Sequence, residues 1–209
     1  MAKVKTSGAP TRDRILNATA DLLRRQGYSG TGLKQIVKAA DAPFGSLYHF
    51  FPAGKEQLGA EALRVAGRAY NALVAEFFDG TTDIVRATQA FFNGAAEVLV
   101  ASDYQDACPI ATVALEVASE SESMRKATAE IFESWISDAT RCFEAAGVRA
   151  GDARQLALRL FMLLEGAFVL CRSWKSTEPM VIAGRWAVKA AQETVRSRGK
   201  RRRAPTSRL

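Results

Sequence analysis

A chain of 209 residues carrying +7 net charge, three cysteines and a single histidine has room for a real core and needs no disulfide or metal staple. Cys108, Cys142 and Cys171 show no CxxC spacing and no nearby histidine, so they read as small buried apolar residues in a reducing cytoplasm. The longest apolar run, Leu158–Cys171, is interrupted by Arg159 and Glu165, which excludes a membrane span, and MAKVKTSGAPTR at the start is too polar for a secretory signal.

The charge is uneven. Residues 1–60 hold nine Lys or Arg against four Asp or Glu, residues 193–209 hold seven against one, and residues 61–192 hold thirteen against seventeen. Two basic ends on an acidic body point to a polyanion partner at the ends. For the C-terminal run RSRGKRRR, a solvated tail and a source of non-specific affinity for nucleic acid are both open readings.

Residues 1–10 are expected to form a disordered arm. Thr11 is placed to cap a first helix through TRDRILNATADLLRRQ, with Ile15, Ala18, Thr19, Leu22 and Leu23 on one face and Gly27 as its stop. A second short helix runs LKQIVKAA, with Leu33, Ile36, Val37 and Ala40 inward and Lys34, Gln35 and Lys38 outward. Asp41-Ala42-Pro43 makes a turn, and FGSLYHFF makes a third short helix.

Two short helices across a tight turn, crossed by a preceding helix, make a helix-turn-helix. Its third helix anchors through Leu47 and Phe50 or Phe51. It offers Gly45, Ser46, Tyr48 and His49 to a groove: small residues let the backbone approach base edges, while hydroxyl and imidazole reach phosphates. Phe44 has two readings, packing on the turn or touching a thymine methyl. A long helix from Gly54 to Phe78 follows, whose N-terminus and Lys55 are placed to clamp a phosphate. Arg12 and Arg14 are weaker candidates for backbone phosphate.

Further helices are expected near residues 82–101, 109–119, 121–146, 152–173 and 179–197, so the fold class is all-α with about nine helices. The domain division is a head over 11–53, a body over 54–198 and a basic disordered tail over 199–209. In the body, Phe92, Leu115, Trp135, Phe161 and Glu165 are the candidate walls of a ligand cavity, large apolar surfaces with one polar group to orient a ligand. Glu165 has a competing reading, at a subunit seam with Arg159 or Arg172. The segment LALRLFMLLEGAFVLCRSW is apolar nearly all round, and a second covering surface is implied. Leu160, Leu164, Phe168, Ile182 and Trp186 are the candidate dimer residues.

The order DRILNATADLLRRQGYSGTGLKQIVKAADAPFGSLYHFF followed by GKEQL resembles the TetR family of transcriptional regulators. CPIATVALE, at Cys108–Glu116, and the Pro in FPAGKE are similar to the LmrA/YxaF-like branch. The resemblance implies a homodimer whose last two body helices pair with those of its mate. It also implies a small apolar or aromatic effector in the body that shifts head spacing and releases a palindromic DNA operator. The order Tyr48-His49-Phe50-Phe51 departs from the family's Tyr-x-His-Phe. Phe50 stands where the family's histidine meets a phosphate, and His49 lies one step, about 100°, around the helix.

Nothing in the residues points to an enzyme, a cofactor or a metal: the one histidine lies in the head, no glycine-rich loop follows a strand, and no carboxylate pair is suitably spaced. The expected function is a cytoplasmic, ligand-responsive repressor. Two alternatives stay open, a non-specific structural DNA-binding protein and a TetR-like dimer with no small-molecule ligand.

Overall fold

Helix α1 (Thr11–Gln26) buries Ile15, Leu16, Thr19 and Leu23, a stripe at helical spacing, and the Thr19 hydroxyl satisfies itself on the Ile15 carbonyl at 2.7 Å. Thr11 is the first helical residue, preceded by Pro10, and not the cap the sequence suggested. The helix stops at Gly27, whose φ of 74° is a conformation that favours glycine. The computed structural model describes residues 9–106 and 108–202, with side chains described through Arg196.

Nine helices and no strand occur among the described residues. After α1 come α2 (Leu33–Ala39), α3 (Phe44–Phe50), α4 (Gly54–Phe78), α5 (Ile84–Ala101), α6 (Pro109–Val117), α7 (Glu122–Ala145), α8 (Ala150–Trp174) and α9 (Glu178–Arg202). The expected disordered arm lies outside the described residues up to position 8. Helix α9 takes in residues 199–202 of the expected tail, and 203–209 lie outside the described residues. No described helix is long and apolar enough to cross a membrane.

The chain divides into two compact units, the first made of residues up to 69 with 108–132 and the second of residues 70–106 with 133 onwards. The first thus holds α1–α3 together with α6 and the opening turns of α4 and α7, more than the 11–53 head read from sequence. Its core gathers Ile15, Leu23, Ile36, Leu47, Phe51, Leu58 and Leu63. Burying seven such side chains contributes on the order of 10 kcal/mol before entropy is counted. A Cβ on Gly67 would lie 2.6 Å from an Ile131 methyl, so α4 and α7 meet there closely enough to require glycine.

The second unit packs α5 and α8 against α9. Asp83 starts α5 by accepting the Arg86 N–H at 3.0 Å. Phe78 meets both Phe91 and Phe143 edge-on, with ring centroids 5.6 and 5.3 Å apart. Gly184 on α9 lets Phe92 of α5 come in close, where an added Cβ would stand 3.0 Å from the Phe92 Cβ.

Candidate nucleic-acid interface

Leu47 and Phe51 are fully buried while Phe44, Gly45, Tyr48 and His49 are exposed. A seven-residue helix can present so open a face only because a few deep anchors hold it. Ser46 and Phe50 are half-buried at the edge. The Phe44 and Tyr48 rings, four residues apart, meet edge-on with centroids at 5.9 Å and stay 44% and 48% exposed. His49 turns its ring against Phe50 at 4.9 Å. On α2, Lys34, Gln35 and Lys38 are exposed and Ile36 and Val37 buried, the division the periodicity predicts.

The turn between α2 and α3 is fastened from α1. Arg14 donates from Nε to the Ala40 carbonyl at 3.0 Å and from a terminal nitrogen to the Asp41 carbonyl at 2.9 Å. Its third donor reaches the Ala9 carbonyl at 3.1 Å. Asp41 takes the left-handed φ of 49° that the tight turn needs. Arg14 therefore spends its guanidinium inside the head, and Arg12 pairs with Glu61 while lying over the Phe51 ring.

Lys55 is also turned inward. Its ammonium donates to the Tyr28 carbonyl at 2.7 Å and lies 4.2 Å from the centre of the Tyr28 ring. Burial lowers its pKa, partly offset by the negative charge of Glu116. Burial, and then the charge of Glu56, raises that of Tyr28. Glu116, on α6, accepts the N–H groups of Tyr28 and Ser29 at 3.1 and 2.7 Å. In the sequence Glu116 is only the last residue of the CPIATVALE string. Its partners are backbone groups 87 and 88 residues away, which no local pattern announces.

The candidate ligand residues are dispersed. Trp135 and Phe161 are buried and stacked at 6.0 Å, with Tyr70 on the other neighbour position at 6.1 Å from Trp135. Phe92 lies against Phe91 and Gly184, and Glu165 is half-buried on α8. Leu115 belongs to the first unit and is 82% exposed on α6. Of the candidate dimer residues, Leu160 and Leu164 are buried within the chain itself and Phe168 is half-buried, whereas Ile182 and Trp186 are exposed. Exposed apolar side chains on α8 are Met162, Val169, Leu170 and Trp174. No group of residues able to hold a metal ion occurs among the described residues.

Residues 15–62 match the family model for bacterial regulatory proteins of the tetR family, and residues 84–186 match that of the LmrA/YxaF-like transcriptional regulator C-terminal domain. The chain is 34% identical over 85% of its length to the uncharacterized HTH-type transcriptional regulator YxaF of Bacillus subtilis, covering 93% of that protein. It is 31% identical over 82% of its length to the HTH-type transcriptional regulator LmrA of the same organism, covering 91% of it. In fold it is similar to the crystal structure of the regulatory protein TetR from Rhodobacter sphaeroides, with a TM-score of 0.76, 22% identity, and coverage of 87% of this chain and 99% of that one. These families consist of transcriptional regulators and not enzymes. A helix-turn-helix with an open third helix, joined to an LmrA/YxaF-like body, makes this chain a member of the TetR family of transcriptional regulators.

Proposed function

We propose that the protein is a cytoplasmic repressor that binds a two-fold-symmetric DNA operator as a homodimer and is released by a small apolar or aromatic effector. Gly45 carries the reading. It is the second residue of α3, where glycine is a poorer helix former than alanine, and a Cβ there would meet nothing within 4 Å. No packing within the chain calls for a glycine at that position. A groove wall approaching from outside does, because the missing side chain lets backbone and base edge close up. Lys34 on α2 and Phe44, Tyr48 and His49 on α3 are exposed alongside Gly45, with Ser46 half-buried. Tyr48 and Lys34 are assigned to phosphates and Phe44 to a thymine methyl. Lys55 acts from behind, through the loop it holds at Tyr28.

Dimerisation is supported by α8 and α9. A groove between them is lined by apolar Met162, Leu163 and Trp186 and by charged residues of both signs, Arg159, Lys189 and Glu193. Such a face is self-complementary under a two-fold axis. An aromatic effector is the chemistry that the stacked Tyr70, Trp135 and Phe161 rings of the body would accommodate by further stacking.

Selection of the purified protein on random duplex DNA at two salt concentrations tests the operator reading. The expected result is an enriched, two-fold-symmetric site with thymine opposite Phe44. Salt-sensitive binding with no enriched site would replace it with the structural DNA-binding alternative. A melting scan with aromatic compounds tests the effector, which should raise the midpoint by an amount that grows with the logarithm of its concentration above Kd.

A further inference from the structure

We propose that Glu116 is a positioning residue for operator binding: it makes the posture of α2 and α3 depend on α6. The inference rests on the DNA-binding reading above and adds the element that governs it. The loop from α1 to α2 is held at both kinds of backbone group. Its N–H groups at Tyr28 and Ser29 end on the Glu116 carboxylate at 3.1 and 2.7 Å. Its carbonyl at Tyr28 ends on the Lys55 ammonium at 2.7 Å. The two clamps attract one another across the loop, since Glu116 is the charge that Lys55 feels.

The fit around the carboxylate is close. A Cβ on Gly27 would stand 1.8 Å from a Glu116 oxygen, so this glycine serves the positive φ of 74° and also vacates the space the carboxylate occupies. Five residues after Ser29, α2 presents Lys34. Thr31, buried between them, donates to the Gly27 carbonyl at 2.6 Å, so the loop and the start of α2 move as one piece. Charge-assisted bonds to two adjacent N–H groups fix both the distance and the rotation of that piece relative to α6. The same loop tied only by its apolar contacts would hold its distance and lose its rotation.

Specific binding needs the rotation, because side chains must meet particular base edges, whereas non-specific binding needs only charge near phosphate. Breaking the latch should therefore separate the two. The variants are Glu116→Ala, Glu116→Gln and Gly27→Ala, with Glu120→Gln as a charge control on an exposed neighbour. Each is titrated against the selected site and a scrambled duplex of equal length, and amide exchange is followed at Tyr28 and Ser29. Glu116→Ala and Gly27→Ala should each weaken binding to the selected site by about tenfold, within the about 5- to 150-fold range of coupling between sites. Affinity for the scrambled duplex and the salt slope should stay as in the wild type. Glu116→Gln keeps the shape and one acceptor oxygen and should fall between, so it carries the test if the alanine variants do not fold.

Faster exchange at Tyr28 and Ser29 with unchanged affinity for the selected site would overturn the proposal. So would equal losses on both duplexes, which would make Glu116 a stabilising contact only. A wild type that selects no site at all would instead remove the operator reading on which the proposal stands.

Discussion

The ammonium of Lys55 lies over the ring of Tyr28 at 4.2 Å while donating to that residue's own carbonyl. A single side chain thus grips both the backbone and the side chain of the loop ahead of α2. Replacing Lys55 by Met should cost about 1–2 kcal/mol of stability, the usual worth of a charged hydrogen bond with a cation–ring contact. Exposed Lys34 behaves oppositely. Lys34→Met should leave the urea midpoint unchanged and reduce the magnitude of the salt slope of DNA binding by about 1. Paired denaturation and salt titrations on the two variants separate the roles.

Arg14 holds three carbonyls, at Ala9, Ala40 and Asp41. Lysine has the charge but not the fork needed to reach several acceptors at fixed angles. Arg14→Lys should lower stability by about 1 kcal/mol and Arg14→Ala by about 2 kcal/mol. An Arg14→Lys melt indistinguishable from the wild type would show that the turn between α2 and α3 holds without it.

Phe44 is exposed and braced by Tyr48 at 5.9 Å. Phe44→Ala should relax the preference at one base pair by roughly 1 kcal/mol, with little change in stability because the ring covers no core. Competition between duplexes that differ at that pair gives the number directly.

Trp186 is 57% exposed on α9, in the groove with Met162 and Lys189. On the proposed dimer, Trp186→Glu places a charge on the apolar surface assigned to the second copy, and should convert the dimer to a monomer of unchanged helix content. Light scattering at micromolar concentration reads the outcome, and a variant that stays dimeric moves the interface elsewhere.

Acid should weaken the fold through carboxylates that are held ionised. Hydrogen bonding from Arg125 pulls Glu122 from an ordinary 4.5 to about 2. Bonds from Ser121 and Ser123 lower Glu56, and one from Arg154 lowers Glu133. The folded chain binds protons at these groups less readily than the unfolded chain, so their contributions are present above about pH 4.5 and lost as the pH falls, for Glu122 on the way to about 2. Urea midpoints at pH 5 and pH 3 should differ less for Glu122→Gln than for the wild type.

The head was legible because its helices are short and sharply divided: Ile36, Val37 and Leu47 inward, Lys34, Tyr48 and His49 outward. Helix α8 was legible as a helix but not as a surface. With apolar residues nearly all round, its sequence does not say that Leu160 and Leu164 turn inward while Met162 and Val169 turn out. The sequence places Lys55 to clamp a phosphate and gives no sign of its bond to the Tyr28 carbonyl, because a backbone acceptor carries no residue signature. The same blindness hid Glu116. Leu115 looked like a cavity wall by its type alone, and its place on the open side of α6 depends on packing that a linear pattern does not encode.

Helix α6 is fastened unequally. At one end the Glu116 carboxylate takes two short backbone bonds; at the other, the first turn is capped by the Cys108 sulfur, which accepts the Ala111 N–H at 3.4 Å. Sulfur is a weak acceptor, so the start of this nine-residue helix is held mainly by burial of Cys108, Pro109 and Ile110, whereas its end is held by charge. The end held by charge is the one that meets the loop ahead of α2, so the grip of α6 on that loop is the part of its fastening that a single change of charge releases.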